Sequence, residues 1–367
     1  MAILLPLTGA RAEVGQSLLR AAELALAAPG SPSLLAKDTE GTPEGAAAAA
    51  RASLTAGAGL ILGPLTSAET AAVAPIARAA GIAVLAFTND PAQAQPGVWT
   101  LGITPGQQVR RLMGAVQDQG KDRFAALVPE TDFGRAMEQA LLQAATARGL
   151  ATPESRSYAH GMTSITAAVR DVSGYASRRG PLDIRIRAAR GIGGPEGRRE
   201  AADLVKQPVP PPPMDALLLA DTGEPLSEIA ALLPYYDLDR DTVRVLGPAL
   251  WADPATGSGQ LSGAWYAAPD PAARNEFIQA YTAKYGVGPM PVADLAADAA
   301  SIARLLAAGA GWSVAALTSP GGFAGIDGPI ALQADGQVRR ALAVFEIQRG
   351  GAQMVAPAPQ SFAAPGS

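Results

Sequence analysis

Thr66, Ser67, Glu69, Thr88, Asn89 and Asp90 are the residues whose spacing most suggests chemistry. They bracket LILGPLTSAETAAVAPIARAAGIAVLAFTND, Leu60 to Asp90, which reads as a strand, a Gly63-Pro64 turn, a helix from Ser67 and a second strand. Two buried strands flanking a helix form a βαβ unit, and both strands then end at one sheet edge, where open α/β sheets take ligands. Thr66 followed three residues later by Glu69 fits a capping box, which accounts for both without any ligand. Ser67 is left over. Beside free helix N–H groups and the positive end of the helix dipole, its hydroxyl is suited to holding an anion such as a carboxylate. The chemistry on offer is recognition.

Catalytic and metal chemistry find little support. The chain has no cysteine and one histidine, His160, beside Gly161 in an expected loop. Thiol nucleophiles and His-rich metal sites are therefore excluded, and no G-x-S-x-G elbow occurs. Asp237, Asp239 and Asp241 alternate in YYDLDRD, but the glycine and closing glutamate of a calcium loop are missing. GIGGPEG, Gly191 to Gly197, lacks G-x-G-x-x-G spacing and a preceding strand, so it reads as a solvated loop. No catalytic residue, cofactor or metal is expected.

The elements that must position Ser67 and its neighbours follow a β-α-β-α rhythm. Strands are expected at Ile3 to Leu7, Leu34 to Ala36, Leu60 to Leu62, Ile82 to Phe87 and Val98 to Leu101, with helices between them. Thr42-Pro43-Glu44 has the composition of a helix start. The rhythm restarts near Gln119 to Lys121, with strands at Phe124 to Val128, Met214 to Ala220 and Val243 to Leu246. Ser173 to Pro213 interrupts this second series. It holds seven arginines, read as a solvated face, and ends in a proline run read as a stiff spacer. Further on come a strand at Gly263 to Ala267, helices at Pro271 to Tyr285 and Val292 to Ala308, and a hairpin joining Ile330 to Leu332 with Leu342 to Ile347. Residues 356–367, rich in Ala, Pro and Ser, are expected to be disordered.

With 367 residues, nearly half apolar, the chain has material for two cores, and its net charge of −4 does not suggest nucleic acid. No stretch approaches the ~18 apolar residues of a membrane span. MAILLPLTG has neither the basic region nor the long apolar run of a signal peptide, so the chain is expected to be cytoplasmic or to lack its leader here.

PLTG (Pro6 to Gly9), DTEGTPEGAAAAA (Asp38 to Ala50), GPLTSAET (Gly63 to Thr70), ETDFGRAMEQAL (Glu130 to Leu141) and AYTAKYGVGPMPVADLAADAA (Ala280 to Ala300) occur in one order. In that order they resemble the type I periplasmic binding proteins, in the leucine/isoleucine/valine-binding branch. The insert, ALLPYYDLD (Ala231 to Asp239) and AAPDP (Ala267 to Pro271) are similar to a subgroup of penicillin-binding protein activators. The resemblance implies two doubly wound parallel-sheet lobes joined by three hinge crossings. These would be residues 1–119 plus 248–327, and 120–247 plus 328–355. It implies a non-enzymatic periplasmic protein that closes on a small polar ligand such as an amino acid, supplying an ABC permease. The alternative it implies is a lipid-anchored scaffold for a penicillin-binding protein, with a vestigial cleft. Matching residues would be Ser67 beside Thr66, Thr88 or Asn89, Phe133, and Asp221 with Thr222; Trp251 would add apolar cover. The acid that pairs a ligand ammonium falls at Ala249, which leaves such a group uncompensated.

Overall fold

The computed structural model describes residues 1–253 and 261–362. The chain divides into two compact units. Unit 1 comprises residues 1–104, 269–342 and 358–367; unit 2 comprises 105–268 and 343–357. The expected boundaries at 119/120, 247/248 and 327/328 are displaced. In particular, residues 105–119 pack with unit 2, because the apolar face of the helix they form meets that unit's strands.

Unit 1 is built on five parallel strands in the order β2-β1-β3-β4-β5. These are β1 (Ala2–Leu5), β2 (Leu35–Asp38), β3 (Leu60–Leu62), β4 (Ala83–Ala86) and β5 (Val98–Thr100). Helices α2 (Pro43–Thr55) and α3 (Ser67–Ala79) cover one face, their alanines packing on Leu4, Ile61 and Val84. The other face is covered by α1 (Ala12–Ala25), α11 (Asn275–Tyr285) and α12 (Ala293–Ala307), over Ile3, Leu5, Leu60 and Leu62. Both faces of the sheet's interior are thereby buried, which is why β1, β3 and β4 are continuous apolar runs, whereas the edge strand β2, LAKD, is not. A small antiparallel sheet of β11 (Phe323–Gly325), β12 (Gly328–Leu332) and β13 (Val338–Arg340) completes the unit.

Unit 2 contains a seven-stranded sheet in the order β15-β14-β10-β9-β8-β6-β7. Its parallel part is β6 (Phe124–Pro129), β7 (Glu154–Tyr158), β8 (Ala216–Leu219), β9 (Arg244–Gly247) and β10 (Trp265–Ala268). To it β14 (Ala343–Gln348) and β15 (Gly351–Ala356) add antiparallel. Helices α4 (Pro105–Gln117) and α5 (Asp132–Ala147) pack together, as do α6 (Met162–Val172) and α10 (Gly223–Leu232).

Three expectations are corrected here. The apolar run at Leu342 to Ile347 does not pair with β12: β12 turns into β13, and the run becomes the interior strand β14 of the other sheet. The insert is folded, as α7 (Tyr175–Arg178), α8 (Gly180–Ile192) and α9 (Gly194–Val205), and GIGGPEG supplies the turn and the start of α9 rather than a loop. Ile186, Ala189, Ala201 and Leu204 give α8 and α9 a small core of their own. The proline run is tied down, since Arg178 donates to Pro210 O at 2.8 Å, and Arg178 and Arg179 both meet Asp237. The tail begins with order: Ala356 closes β15, and the Arg339 guanidinium lies 4.6 Å from the Phe362 ring centre. Residues 363–367 lie outside the described residues.

One device recurs in both units. Glycines near helix starts let α1 and α5 approach the strands that feed them. A Cβ on Gly15 would lie 2.1 Å from Pro6 O, and one on Gly134 2.1 Å from Pro129 O. No side chain fits, so a methyl there must push the helix off the sheet. Gly134→Ala is expected to cost about 1–3 kcal/mol by overpacking, read as a lowered midpoint in chemical denaturation.

Candidate functional site

Each unit gathers polar groups where its parallel strands end. In unit 1 the start of α3 is held by reciprocal capping. Thr66 Oγ1 accepts from Glu69 N at 3.3 Å, and Glu69 Oε2 accepts from Thr66 N at 3.0 Å and Thr66 Oγ1 at 2.6 Å. The other oxygen of Glu69 accepts from the Thr39 hydroxyl beyond β2, so a fully buried carboxylate fastens α3 to the neighbouring strand end. Every one of its bonds serves the fold, which accounts for burying it.

Ser67 is not left over. Its hydroxyl donates to the Asp90 carboxylate, which also accepts from Ala92 N at 2.9 Å and Gln93 Nε2 at 3.3 Å. Partial burial pushes the Asp90 carboxyl up, but these hydrogen bonds outweigh it and hold the group below the usual carboxylate range. Thr88 is buried and its hydroxyl accepts from Asp90 N at 3.1 Å; Asn89 beside it is exposed. Ser67, Thr88 and Asp90 are thus one connected group, with an internal carboxylate where an external anion was expected. A second carboxylate at this edge, Asp38 after β2, accepts from Thr8 Oγ1 at 2.6 Å and from the amides of Leu7 (2.9 Å) and Glu40 (2.8 Å). Desolvation is again outweighed by hydrogen bonding, and Asp38 is also held low.

In unit 2, Asp221 follows β8. Its carboxylate accepts from Tyr158 Oη at 2.6 Å and from Thr222 N at 2.8 Å, and its carbonyl accepts from Trp251 Nε1 at 2.9 Å. Burial, then the bond to Asp221, pushes the Tyr158 phenol far up, so it remains a donor. Trp251 is buried within the unit, so it braces the Asp221 loop instead of supplying exposed apolar cover. Gly247 makes room for it: a Cβ there would come within 2.3 Å of the indole. Ala249 N donates to Gln108 Oε1 at 2.7 Å. Phe133 is half-buried near the start of α5, whose cap Thr131 accepts from Gly134 N at 3.0 Å.

The structure therefore joins Ser67 and Thr88 through Asp90 in unit 1, ties Thr66 to Glu69, leaves Asn89 exposed beside them, and joins Asp221, Thr222 and Trp251 in unit 2. Sequence reading missed Tyr158; its strand, ESRSY, is polar and shows no alternation, and only the closing tyrosine is buried. Among the described residues no group of three or more His, Cys, Asp or Glu could hold a metal.

A model described as periplasmic binding protein matches residues 1–352. The chain belongs to the periplasmic binding protein family. A putative branched-chain amino acid ABC transporter protein from Rhodospirillum rubrum superposes with a TM-score of 0.71 at 21% identity, over 97% of this chain and 99% of that one. Full-length LpoA from Haemophilus influenzae superposes with a TM-score of 0.68 at 16% identity, over 97% of this chain and 58% of LpoA. An uncharacterised Rickettsia prowazekii protein is 28% identical over 117 residues, which span 32% of this chain and 31% of that protein. At these identities the structural likenesses establish the fold, and family membership establishes a binding-protein architecture. Membership in the periplasmic binding protein family implies an extracytoplasmic or periplasmic location. Among the described residues no helix is long and apolar enough to cross a membrane.

The lowered carboxyls set an acid dependence. A group whose folded-state pKa lies below its unfolded value adds stability above the unfolded value, about 4, and that stability is lost as pH falls through the folded value. The thermal stability of this periplasmic binding protein should therefore fall below about pH 4. Asp38→Asn and Asp90→Asn should each flatten that fall.

Proposed function

We propose that this protein is a non-enzymatic solute-binding protein that takes a small polar ligand, with the strand-end groups of unit 1 as its principal contacts. The reading is supported chiefly by the connected set Ser67, Thr88 and Asp90 at the start of α3, with Asn89 exposed beside it, where a parallel sheet offers polar groups beyond its strand ends. The ligand's binding energy shifts an equilibrium between open and closed arrangements, as differential affinity for two states requires. Unit 2 carries its own strand-end candidates in Phe133, Asp221 and Thr222, and an ABC permease is the expected recipient.

The ligand chemistry departs from an α-amino acid. Ser67 already donates to Asp90, so a ligand carboxylate would have to displace an internal one. Ala249 offers no carboxylate to an ammonium. A ligand that donates hydrogen bonds to Asp90, such as a polyol, an amide or an amine, suits this set better.

One observation favours a second reading, a lipid-anchored periplasmic scaffold for a penicillin-binding protein with a vestigial ligand site. The insert is a folded helical hairpin that leaves Ile184 and Ile192 largely exposed, and LpoA, named as a regulator of PBP1A, shares the fold. A thermal-shift panel of polyols, amides, amines, amino acids and small carboxylates separates the two. A melt raised by a few degrees by one compound, with the shift abolished in Ser67→Ala, is the expected result. Silence across the panel, together with synthase binding lost on deleting residues 180–213, would instead establish the scaffold.

A further inference from the structure

Unit 1 gathers five charged side chains that ligand recognition does not use, four of them buried and the fifth, Arg274, partly so. Arg340, on β13, donates from Nη2 to Asp298 Oδ2 at 2.8 Å and from Nε to Leu101 O at 2.8 Å, and its Nη1 lies 3.8 Å from Asp327 Oδ2. Arg274, just before α11, donates to Asp294 Oδ1 at 2.6 Å and to Pro291 O at 2.7 Å. Its Nε faces Asp327 Oδ1 at 3.2 Å without hydrogen-bond alignment. Asp298 also accepts from Ile326 N at 2.7 Å, in the turn joining β11 to β12. The side chains of Arg340, Asp298 and Asp327 are 2%, 1% and 4% exposed, which puts these three beyond the reach of solvent screening, while Arg274 is 24% exposed at the cluster's edge.

The charges do not cancel. Two guanidinium groups oppose three carboxyl groups, so the fully ionised cluster carries one uncompensated negative charge in the interior, a costly arrangement. One bound proton removes it. Asp298 is already met by Arg340 and the Ile326 amide, whereas Asp327 has Asp294 beside it as a like-charged neighbour. Burial first, and then Asp294, push the Asp327 carboxyl up to about 8, with Arg274 and Arg340 pulling the other way. Burial also pushes Asp298 up, and Arg340 opposes it. Asp294, Asp298, Arg274 and Arg340 are the charged groups acting on these two carboxyls from α12, the α11 approach and β13.

The location gives the cluster a task. Leu101, Arg274 and Arg340 each lie close in sequence to a point where the chain leaves or enters unit 1, at 104/105, 268/269 and 342/343. We propose that these five side chains form a one-proton latch, in which a proton held between Asp294 and Asp327 fastens the β11–β12 turn to the three crossing segments. When the turn opens, the carboxyl O–H breaks, the proton passes to water and a solvated carboxylate remains. The sign follows from linkage. The closed form binds the proton more tightly than the open form, so closure is firmest at acid pH. It weakens as pH rises from the ordinary carboxyl value, about 4, through about 8. Above that value the loss is complete.

Hydrogen exchange of the 323–332 amides in the full chain tests this between about pH 5 and 9. Corrected for intrinsic exchange rates, opening in the wild type should rise by up to about tenfold per pH unit and level off above about 8. Asp327→Asn keeps the position neutral and should remove the dependence; Asp294→Asn should do likewise, and serves if the first variant does not fold. A flat wild-type profile, or an unchanged slope in a folded variant, overturns the latch. If neither variant folds, the wild-type profile decides, since only a coupled proton produces a rise that levels off near 8.

Discussion

A helix start can present hydroxyls and amides at the edge of a parallel sheet only if it sits hard against the strand that feeds it. In this protein that contact is backbone on backbone, carbonyl against helix, at Gly15 in unit 1 and Gly134 in unit 2. Everything at the strand ends depends on this closeness. Once α3 is fixed in its turn by the buried Glu69, bridged to Thr39 and Thr66, Ser67 has nowhere to stand but beside the loop that carries Asp90. The polar groups of this edge are bonded to one another, so a ligand must add to these bonds or displace them.

Much of this was legible in the sequence, and for a local reason. The capping box at Thr66 and Glu69, and the Thr42-Pro43 start of α2, are set by residues within a turn of one another. The β-α-β rhythm is set by runs of apolar residues buried on both faces. Both signals survive without knowledge of the tertiary structure. What could not be read depended on residues far apart. Ser67 looked unoccupied because its partner lies on the other side of a helix and a strand. β7 was invisible because it is an edge strand, half-exposed and polar, with no core face to impose alternation. β14 was paired with the wrong neighbour because an apolar run says that a strand is buried and nothing of which strand buries it.

The two carboxylate systems of unit 1 illustrate opposite uses of burial. Asp38 and Asp90 sit near solvent and gather donors, so their ionised forms are favoured. Asp327 is deep, with a like-charged neighbour and poorly aligned cations, so its neutral form is favoured. Residue type does not decide this; the depth of burial, set against the donors and charges around each group, does.

The α8–α9 hairpin has a further consequence. Its small core of Ile186, Ala189, Ala201 and Leu204 is separate from the cores of the sheets, while its base is pinned by Arg178 and Arg179 on Asp237 and by the packed rings of Tyr175, Tyr235 and Tyr236. Such a module behaves as a cassette: its outward face can drift in sequence, or be recoded wholesale, without disturbing the strands that organise the strand-end groups. Selection on whatever touches that face is thereby uncoupled from selection on the fold.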